Sequence, residues 1–235
     1  ALEHGYSVGE VDALTGPLIG RPKTATFRLY DLIGADIMVH VNRNLYDAIP
    51  DDEAREVINH PASSELLDTM LERGMLGNKR GQGFYKRVDT PEGREFWELN
   101  LQTLDYDAPQ KIRFDSVGQH RKIEDAGARI KAMVHADDRA GQYLWHLHAF
   151  YLSYAAQRLG EIADDIPSID NANKWGFNHA LGPFEIWDAL GVAETADRMA
   201  ADGYAVAPWV RAMLDAGCAS FYQRDAAGVV TGYYD

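Results

Sequence analysis

Apolar residues recur every three or four positions along most of this chain, and that spacing predicts helices rather than strands. Residues 27–33 carry an aromatic or aliphatic side chain at every third position, and Gly34 follows as a residue suited to end a helix. A second apolar stripe begins at Pro61 and stops at Gly74. We predict a helix over each segment.

Polar residues at the beginnings of other segments support the same interpretation. Ser7 and Glu10 have the spacing of a capping box ahead of a helix over residues 8–14. Ser168 is placed to cap a helix over residues 169–174.

The widest apolar stripe runs from Gly141 to about Asp164, and its breadth predicts a helix buried on more than one side. We expect this helix to be the spine of a second unit. Residues 1–4 resemble the last turn of a helix, and the matching spine of a first unit would lie mostly before Ala1. We therefore expect the sequence to be a piece of a longer protein.

Strands are predicted to be few and short. Aromatic-rich segments at 83–86 and 220–234 favour short strands, and the second alternates like a hairpin around residues 227–228. Between the two units, Thr90-Pro91-Glu92 is a suitable helix start, and Phe96 and Leu99 continue the apolar pattern.

The chain contains an internal duplication. Residues 11–34 and 169–191 share an Ile/Val-Asp opening, a Gly/Pro-rich middle and a closing aromatic-Asp-x-aliphatic-Gly word. The two aspartates of each copy lie 19 and 18 residues apart, which argues against an accidental match. The similarity continues further along the chain: the segment "TMLERG" precedes "GFYK" in the first copy, and "AMLDAG" precedes "SFYQ" in the second.

Charge and composition exclude several classes of partner. The net charge of -13 disfavours nucleic acid and anionic membrane surfaces, and no apolar stretch is long enough to span a bilayer. The single cysteine, Cys218, cannot form a disulfide within the chain, which favours a cytoplasmic location.

Single-residue candidates for chemistry have simpler explanations. His146 and His148 lie roughly 200° apart on a helix, so they do not predict a metal site. The acidic runs at 51–53 and 137–138 fall at predicted helix starts, where negative charge is favoured. For the repeated Asp31 and Asp188, a carboxylate that ties down the adjoining turn is favoured over an acid catalyst.

The glycine-rich segment "GNKRGQGFYK", residues 77–86, fits neither a dinucleotide fingerprint nor a P-loop. Together with "VDALTGPLIGRPKTATFRLYDLIG" and "KWGFNHALGPFEIWDALG", however, it resembles the helical C-terminal region of L-3-hydroxyacyl-CoA dehydrogenases. The matching positions of the segment are Gly77, Lys79, Gly81, Gly83, Phe84 and Tyr85.

This resemblance implies an all-α fold of two related helical subdomains, similar to the C-terminal domain of 6-phosphogluconate dehydrogenase, with minor strands. It implies a truncated first unit at 1–87, a linker with a helix at 88–138 and a divergent second unit at 139–235.

The resemblance also implies an oxidation of 3-hydroxyacyl-CoA to 3-oxoacyl-CoA in fatty-acid beta-oxidation. NAD and the catalytic His-Glu pair belong to a preceding Rossmann domain, so we expect no catalytic or cofactor-binding residue here and an inactive fragment. Asn42, in a "VNR" word that follows rather than precedes the Asp-x-x-Gly motif, is interpreted as a decoy for the family's substrate-positioning asparagine.

By the same resemblance, Pro22, Phe27 and Leu29 are candidates for the acyl pocket, and Lys79 and Arg80 for contacts to CoA or a neighbouring domain. The expected partners are the acyl-CoA substrate, the Rossmann domain, a fused or associated enoyl-CoA hydratase, and a second copy of the protein. A helical scaffold that only dimerises or docks a beta-oxidation partner is the alternative.

Overall fold

The computed structural model describes residues 2–235 and confirms an all-α fold with minor strands. Eleven α-helices lie in this range: α1 Val8–Thr15, α2 Phe27–Ile33, α3 Ala35–Ala48, α4 Pro61–Glu72, α5 Asp115–His120, α6 Ala126–Val134, α7 Arg139–Gln157, α8 Ile166–Phe177, α9 Pro183–Leu190, α10 Val192–Ala201 and α11 Pro208–Asp215. The strands are β1 Tyr85–Thr90, β2 Gly93–Leu99, β3 Tyr106–Asp107, β4 Tyr222–Arg224 and β5 Val230–Tyr233.

The chain divides into two compact units. The first comprises residues 2–16 and 23–112, and the second comprises residues 17–22 and 113–235. The segment expected to be a linker, 88–138, is therefore shared between them: its first part belongs to the first unit and its last part to the second.

The helix predicted from Thr90 is wrong, because this region forms a β-hairpin. β1 and β2 pair antiparallel, with Thr90 opposite Gly93 across a two-residue turn, and β3 pairs with the far end of β2. Pro91 can begin a tight turn as well as a helix, and Gly93 has a φ of 131°, which suits the end of a turn. The β-branched and aromatic residues on either side favour strands.

The first unit buries one apolar cluster between α1, α3, α4 and the hairpin. Its core members are Val8, Val39, Leu67, Met70, Met75, Phe84, Tyr85 and Leu99. The predicted capping box is confirmed, since Ser7 accepts from the Glu10 N–H and Glu10 accepts from the Ser7 N–H. The predicted helix end before residue 5 is observed as a 3-10 turn at Leu2–His4, while Ala1 lies outside the described residues.

The second unit is built around α7, whose inward residues are buried on several sides as predicted. α7 ends at Gln157, earlier than the sequence pattern suggested. The cap predicted at Ser168 is wrong: Asp165 caps α8 and accepts from the Ser168 N–H at 2.7 Å, so the helix begins three residues earlier. The terminal hairpin is confirmed as β4 paired with β5.

Within residues 2–235, none of the helices combines the length and apolar character that crossing a bilayer requires.

Candidate functional site

A carboxylate in the first unit holds the beginning of a helix. Asp12, on α1, accepts hydrogen bonds from the first N–H groups of α2, with donors Thr26 at 3.0 Å, Phe27 at 2.6 Å and Arg28 at 3.0 Å. The Tyr85 hydroxyl also donates to Asp12, at 2.9 Å. Helical N–H groups that have no partner within the helix are thereby satisfied.

A second carboxylate fixes the glycine-rich segment. Asp31, near the end of α2, accepts from the backbone N–H groups of Phe84 and Tyr85, each at 2.8 Å. Gly77 and Gly83 pack directly against Asp31, and a Cβ at either position would overlap it. Gly77 and Gly83 thus allow the chain to approach Asp31 closely, which is a structural role.

The second unit repeats both arrangements. Asp170 accepts from the Phe184 N–H at 2.9 Å, the Glu185 N–H at 3.1 Å and the Tyr222 hydroxyl at 2.8 Å. Asp188 accepts from the N–H groups of Phe221, at 2.7 Å, and Tyr222, at 3.0 Å. The residues of the duplication therefore occupy equivalent structural positions in both units.

These contacts refine the interpretation of the repeated aspartates. The Gly/Pro-rich turn is held by Asp12 and Asp170, the first aspartate of each copy. Asp31 and Asp188 instead reach forward to the strand that follows the last helix of each unit. A structural role is supported, but the segment that they hold differs from the adjoining turn that we predicted.

Burial perturbs the acidity of these groups. Desolvation raises the pKa of Asp31, Asp170 and Asp188 to about 6, although each accepts backbone hydrogen bonds that oppose the rise. Desolvation and the neighbouring carboxylates likewise raise the pKa of the Tyr85 and Tyr222 hydroxyls. Because their oxygens accept hydrogen bonds from internal donors, these carboxylates support the fold.

The raised pKa of Asp188 predicts a pH-dependent stability. Its folded-state pKa lies above the unfolded value, so the stabilisation from its protonation is present near pH 4 and is lost as the pH rises through 6. Against an Asp188→Asn variant, the free energy of unfolding of the unmodified chain should fall by up to about 3 kcal/mol between pH 4 and pH 7. Urea unfolding at both pH values measures this difference. A difference that stays constant, or grows toward neutral pH, would contradict the assignment.

An apolar pocket of about 370 Å³ opens beside α2 in the first unit. An aromatic cluster forms one wall: the Phe27 and Phe84 ring centroids lie 4.4 Å apart, and Tyr30 meets Phe84 edge-on at 5.6 Å. The complete lining is Glu3, Thr26, Phe27, Tyr30, Val57, His60, Ala62, Ser63, Leu66, Leu67, Phe84 and Leu101. A mostly apolar cavity of this size can accommodate a short hydrocarbon chain.

The second unit has the same aromatic cluster, but a tryptophan packs against it. Phe184 and Trp187 contact Phe221 at centroid distances of 5.0 and 5.3 Å, as Phe27 and Tyr30 contact Phe84. Trp209 then packs on Phe184 at 5.9 Å and on Phe221 at 5.6 Å. In the repeated words "LLDTMLERG" and "WVRAMLDAG", Trp209 corresponds to Leu66, which lines the pocket of the first unit.

The sequence candidates for the acyl pocket separate in the structure. Phe27 lines the apolar pocket. Leu29 lies on another side of α2 and is 37% exposed, while Pro22 belongs to the segment that groups with the second unit. The sequence candidates did not include Tyr30 and Leu66, although alignment of the two copies pairs these residues with Trp187 and Trp209.

The candidates for phosphate contacts have ordinary surroundings. The Lys79 ammonium pairs with the Asp36 carboxylate, and Arg80 is exposed on the 3-10 turn at Asn78–Arg80. Asn42 lies on α3 and lines a separate pocket of about 250 Å³.

Histidines in both units have neighbours that the structure identifies. His60 and Glu3 approach at 3.6 Å at the rim, but their side chains are 48% and 65% exposed, so the pair is weak. In the second unit, the His146 Nδ1 bonds the Tyr204 hydroxyl at 2.8 Å, and the Nδ1 of the buried His148 bonds the Leu144 carbonyl at 2.7 Å. The described residues contain no cluster of three or more groups suited to hold a metal ion.

The described residues do not fit a dinucleotide cofactor. NAD-binding domains of the doubly wound type place the pyrophosphate at the end of a parallel sheet. Both sheets within residues 2–235 are antiparallel, with strand orders β1-β2-β3 and β4-β5. No step of NAD chemistry is therefore assigned to this chain.

Most of the first unit matches a known class of domain. Residues 1–87 match the family described as 3-hydroxyacyl-CoA dehydrogenase, C-terminal domain. These residues thus belong to the C-terminal domain family of 3-hydroxyacyl-CoA dehydrogenases.

Particular relatives extend this similarity over the second unit. The chain is 45% identical, over all of its length, to a "Probable 3-hydroxyacyl-CoA dehydrogenase" of Bacillus subtilis, and it covers 28% of that protein. It is 30% identical over 72% of its length to a "Putative fatty acid oxidation complex trifunctional enzyme" of Rickettsia felis, covering 22% of it. A "Probable 3-hydroxyacyl-CoA dehydrogenase" of Deinococcus radiodurans is 40% identical over 39% of the chain, which covers 25% of that protein. The chain therefore spans about a quarter of the length of these relatives.

Proposed function

We propose that this chain is the substrate-side region of an NAD-dependent L-3-hydroxyacyl-CoA dehydrogenase of fatty-acid beta-oxidation. The observation that carries the proposal is the 45% identity along the whole chain to a relative named as such a dehydrogenase. The cofactor site and the catalytic His-Glu pair belong, in this proposal, to a domain outside these residues. The isolated chain is then inactive, and its unpaired Cys218 is compatible with a cytoplasmic setting.

The apolar pocket supports a role in binding the acyl chain. Phe27, Tyr30 and Leu66 give it a hydrocarbon lining, and burial of each methylene group contributes about 0.8 kcal/mol. Such a wall orients a substrate and excludes water without taking part in bond changes. Pro22 and Leu29 remain proposed substrate contacts, with Lys79 and Arg80 proposed contacts to CoA or to the cofactor domain.

An exposed apolar face on α3 supports an assembly role for the same region. Ile37, Val41 and Leu45 recur every four residues and are 47%, 48% and 43% exposed. We propose that this face is covered by a second copy of the protein. The alternative function, a scaffold that only dimerises or docks a beta-oxidation partner, would use the face but not the pocket. The Rickettsia felis relative is named as a trifunctional enzyme of a fatty acid oxidation complex, which supports fusion or association with another activity. We propose that this partner is an enoyl-CoA hydratase.

Filling the pocket tests the substrate role. In the longer enzyme that contains this region, Leu66→Trp introduces the residue that the second unit carries at the equivalent position. We expect KM for a long-chain 3-hydroxyacyl-CoA to rise by about 10-fold or more, because several methylene groups lose their contacts. KM for the four-carbon substrate should change little. NAD reduction at varied substrate concentration measures both.

An exposed substitution provides the control. Ile162→Trp adds the same side chain to the second unit, at a position that is 69% exposed. It should leave both KM values unchanged. If Leu66→Trp folds normally and also leaves the long-chain KM unchanged, the scaffold alternative is favoured.

A further inference from the structure

Another pocket of the first unit, of about 470 Å³, has a different chemistry from the apolar one. It lies on the other side of α2: Phe27 and Tyr30 face the apolar pocket, whereas Arg28 and Leu32 line this one. The β1–β2 hairpin contributes Arg87, Arg94 and Phe96. Three arginines thus converge on one cavity of a chain whose net charge is -13.

The hairpin register explains why these side chains converge. Arg87 and Phe96 are directly opposite each other in the antiparallel pair, so they project from the same face. The Arg28 guanidinium lies above this face, 4.1 Å from the Tyr85 ring centroid and 5.6 Å from that of Phe96. Phe96 is 46% exposed, which leaves part of its ring open to a ligand.

The charges of the pocket are only partly compensated from within. Arg94 approaches Asp89 at 3.6 Å, but among the described residues no carboxylate lies within 4 Å of the Arg28 or Arg87 guanidinium. Asp31 itself lines the pocket, and the charge of Arg28 acts on the carboxyl groups of both Asp31 and Glu98.

The nearby carboxylates are already engaged with the backbone. Asp31 accepts from the N–H groups of Phe84 and Tyr85, and Glu98 accepts from the Gly9 N–H at 2.9 Å. The guanidinium groups therefore keep donors available for an external anion.

We propose that this pocket binds a nucleoside phosphate. Guanidinium groups match the geometry of phosphate oxygens, which they can bind through two parallel hydrogen bonds, and an exposed aromatic ring stacks with a base. Arg28 and Arg87 hold the phosphate, and Phe96 supports the base. The nucleotide is either free or the phosphoadenosine end of a CoA thioester. The second source rests on the proposed function, whereas the first does not.

Calorimetric titration of the 235-residue chain tests the proposal. The probes are adenosine 3′,5′-bisphosphate, CoA, ATP, inorganic phosphate and adenosine. We expect the bisphosphate to bind at least about 10-fold more tightly than phosphate or adenosine, because only it engages both the arginines and the ring. CoA binding more tightly than ATP identifies CoA as the source, and the reverse order identifies a free nucleotide.

Two variants locate the binding. Arg87→Gln should weaken binding of the bisphosphate by about 10-fold or more, and Phe96→Leu by about 5-fold or more. Arg121→Gln, which removes the same charge from an exposed position in the second unit, should have no effect. Unchanged melting temperatures show that the variants fold.

Three results would overturn the proposal: no binding of any nucleotide, equal affinity for the bisphosphate and for inorganic phosphate, or an affinity for the bisphosphate that Arg87→Gln leaves unchanged. The outcome is independent of the Leu66→Trp experiment, since Leu66 lines the pocket on the opposite side of α2. Failure of either proposal can therefore be distinguished from failure of the other.

Discussion

An Asp170→Ala variant should lose about 3 to 6 kcal/mol of unfolding free energy. The substitution leaves three buried or partly buried donors without an acceptor: the N–H groups of Phe184 and Glu185 and the hydroxyl of Tyr222. Each unsatisfied donor costs about 1 to 3 kcal/mol, and a marginally stable domain cannot lose that much without partial unfolding. Denaturant titration followed by tryptophan fluorescence measures the change, since Trp187 and Trp209 belong to the same unit.

Asp170→Asn is the matched control for this effect. Asparagine has the same shape and keeps one carbonyl oxygen as an acceptor, so its loss of stability at pH 7 should be smaller than that of alanine. Equal losses for the two variants would show that the negative charge, rather than the acceptors, is what the unit requires. A loss below about 1 kcal/mol for alanine would contradict the assigned role altogether.

The second large effect is expected at Gly77. This residue has a φ of +89°, and a Cβ there would overlap the backbone of Asp31. Gly77→Ala therefore combines the cost of a left-handed alanine, about 1 to 2 kcal/mol, with an overpacking cost of about 1 to 3 kcal/mol. We expect a total loss of about 2 to 5 kcal/mol in thermal or urea unfolding.

Gly81→Ala, four residues further on, separates the two contributions. Gly81 has a φ of +73°, but a Cβ there would meet no atom within 4 Å. Its substitution should cost only the backbone part, about 1 to 2 kcal/mol. If both alanine variants lose the same stability, close packing against Asp31 does not explain why glycine is required at position 77.

Much of the fold followed from local patterns. The helix over 27–33 and the capping box at Ser7 depend on neighbouring residues, so the sequence contains their determinants. The hairpin at 85–99 was missed because Thr90-Pro91-Glu92 suits a helix start and a tight turn equally well, and the pairing of Arg87 with Phe96 across the turn decides between them.

The sites were less predictable because they depend on distant residues. The duplication predicts that Asp31 and Asp188 are equivalent. The N–H groups from which they accept lie 53 and 33 residues further along the chain, so no local pattern identifies them. The arginine pocket has no motif at all, since Arg28 and Arg87 meet only after α2 packs near the hairpin. The pocket role of Leu66 is visible in sequence only when Trp209 is recognised as its counterpart.

The hydrogen bonds of the second aspartate in each copy allow the length of one loop to differ between the two units. In both units its carboxylate holds the residue pair Phe-Tyr, yet the chain between the preceding helix-ending glycine and that pair differs: residues 75–83 in the first unit and 218–220 in the second. Because the pair is anchored by a side chain of another helix, the intervening loop can gain or lose residues without displacing the aromatic core. The longer loop of the first unit supplies Asn78 and Gly81 to the arginine-lined pocket, so the extra residues alter the surface there and leave the Phe-Tyr pair in place.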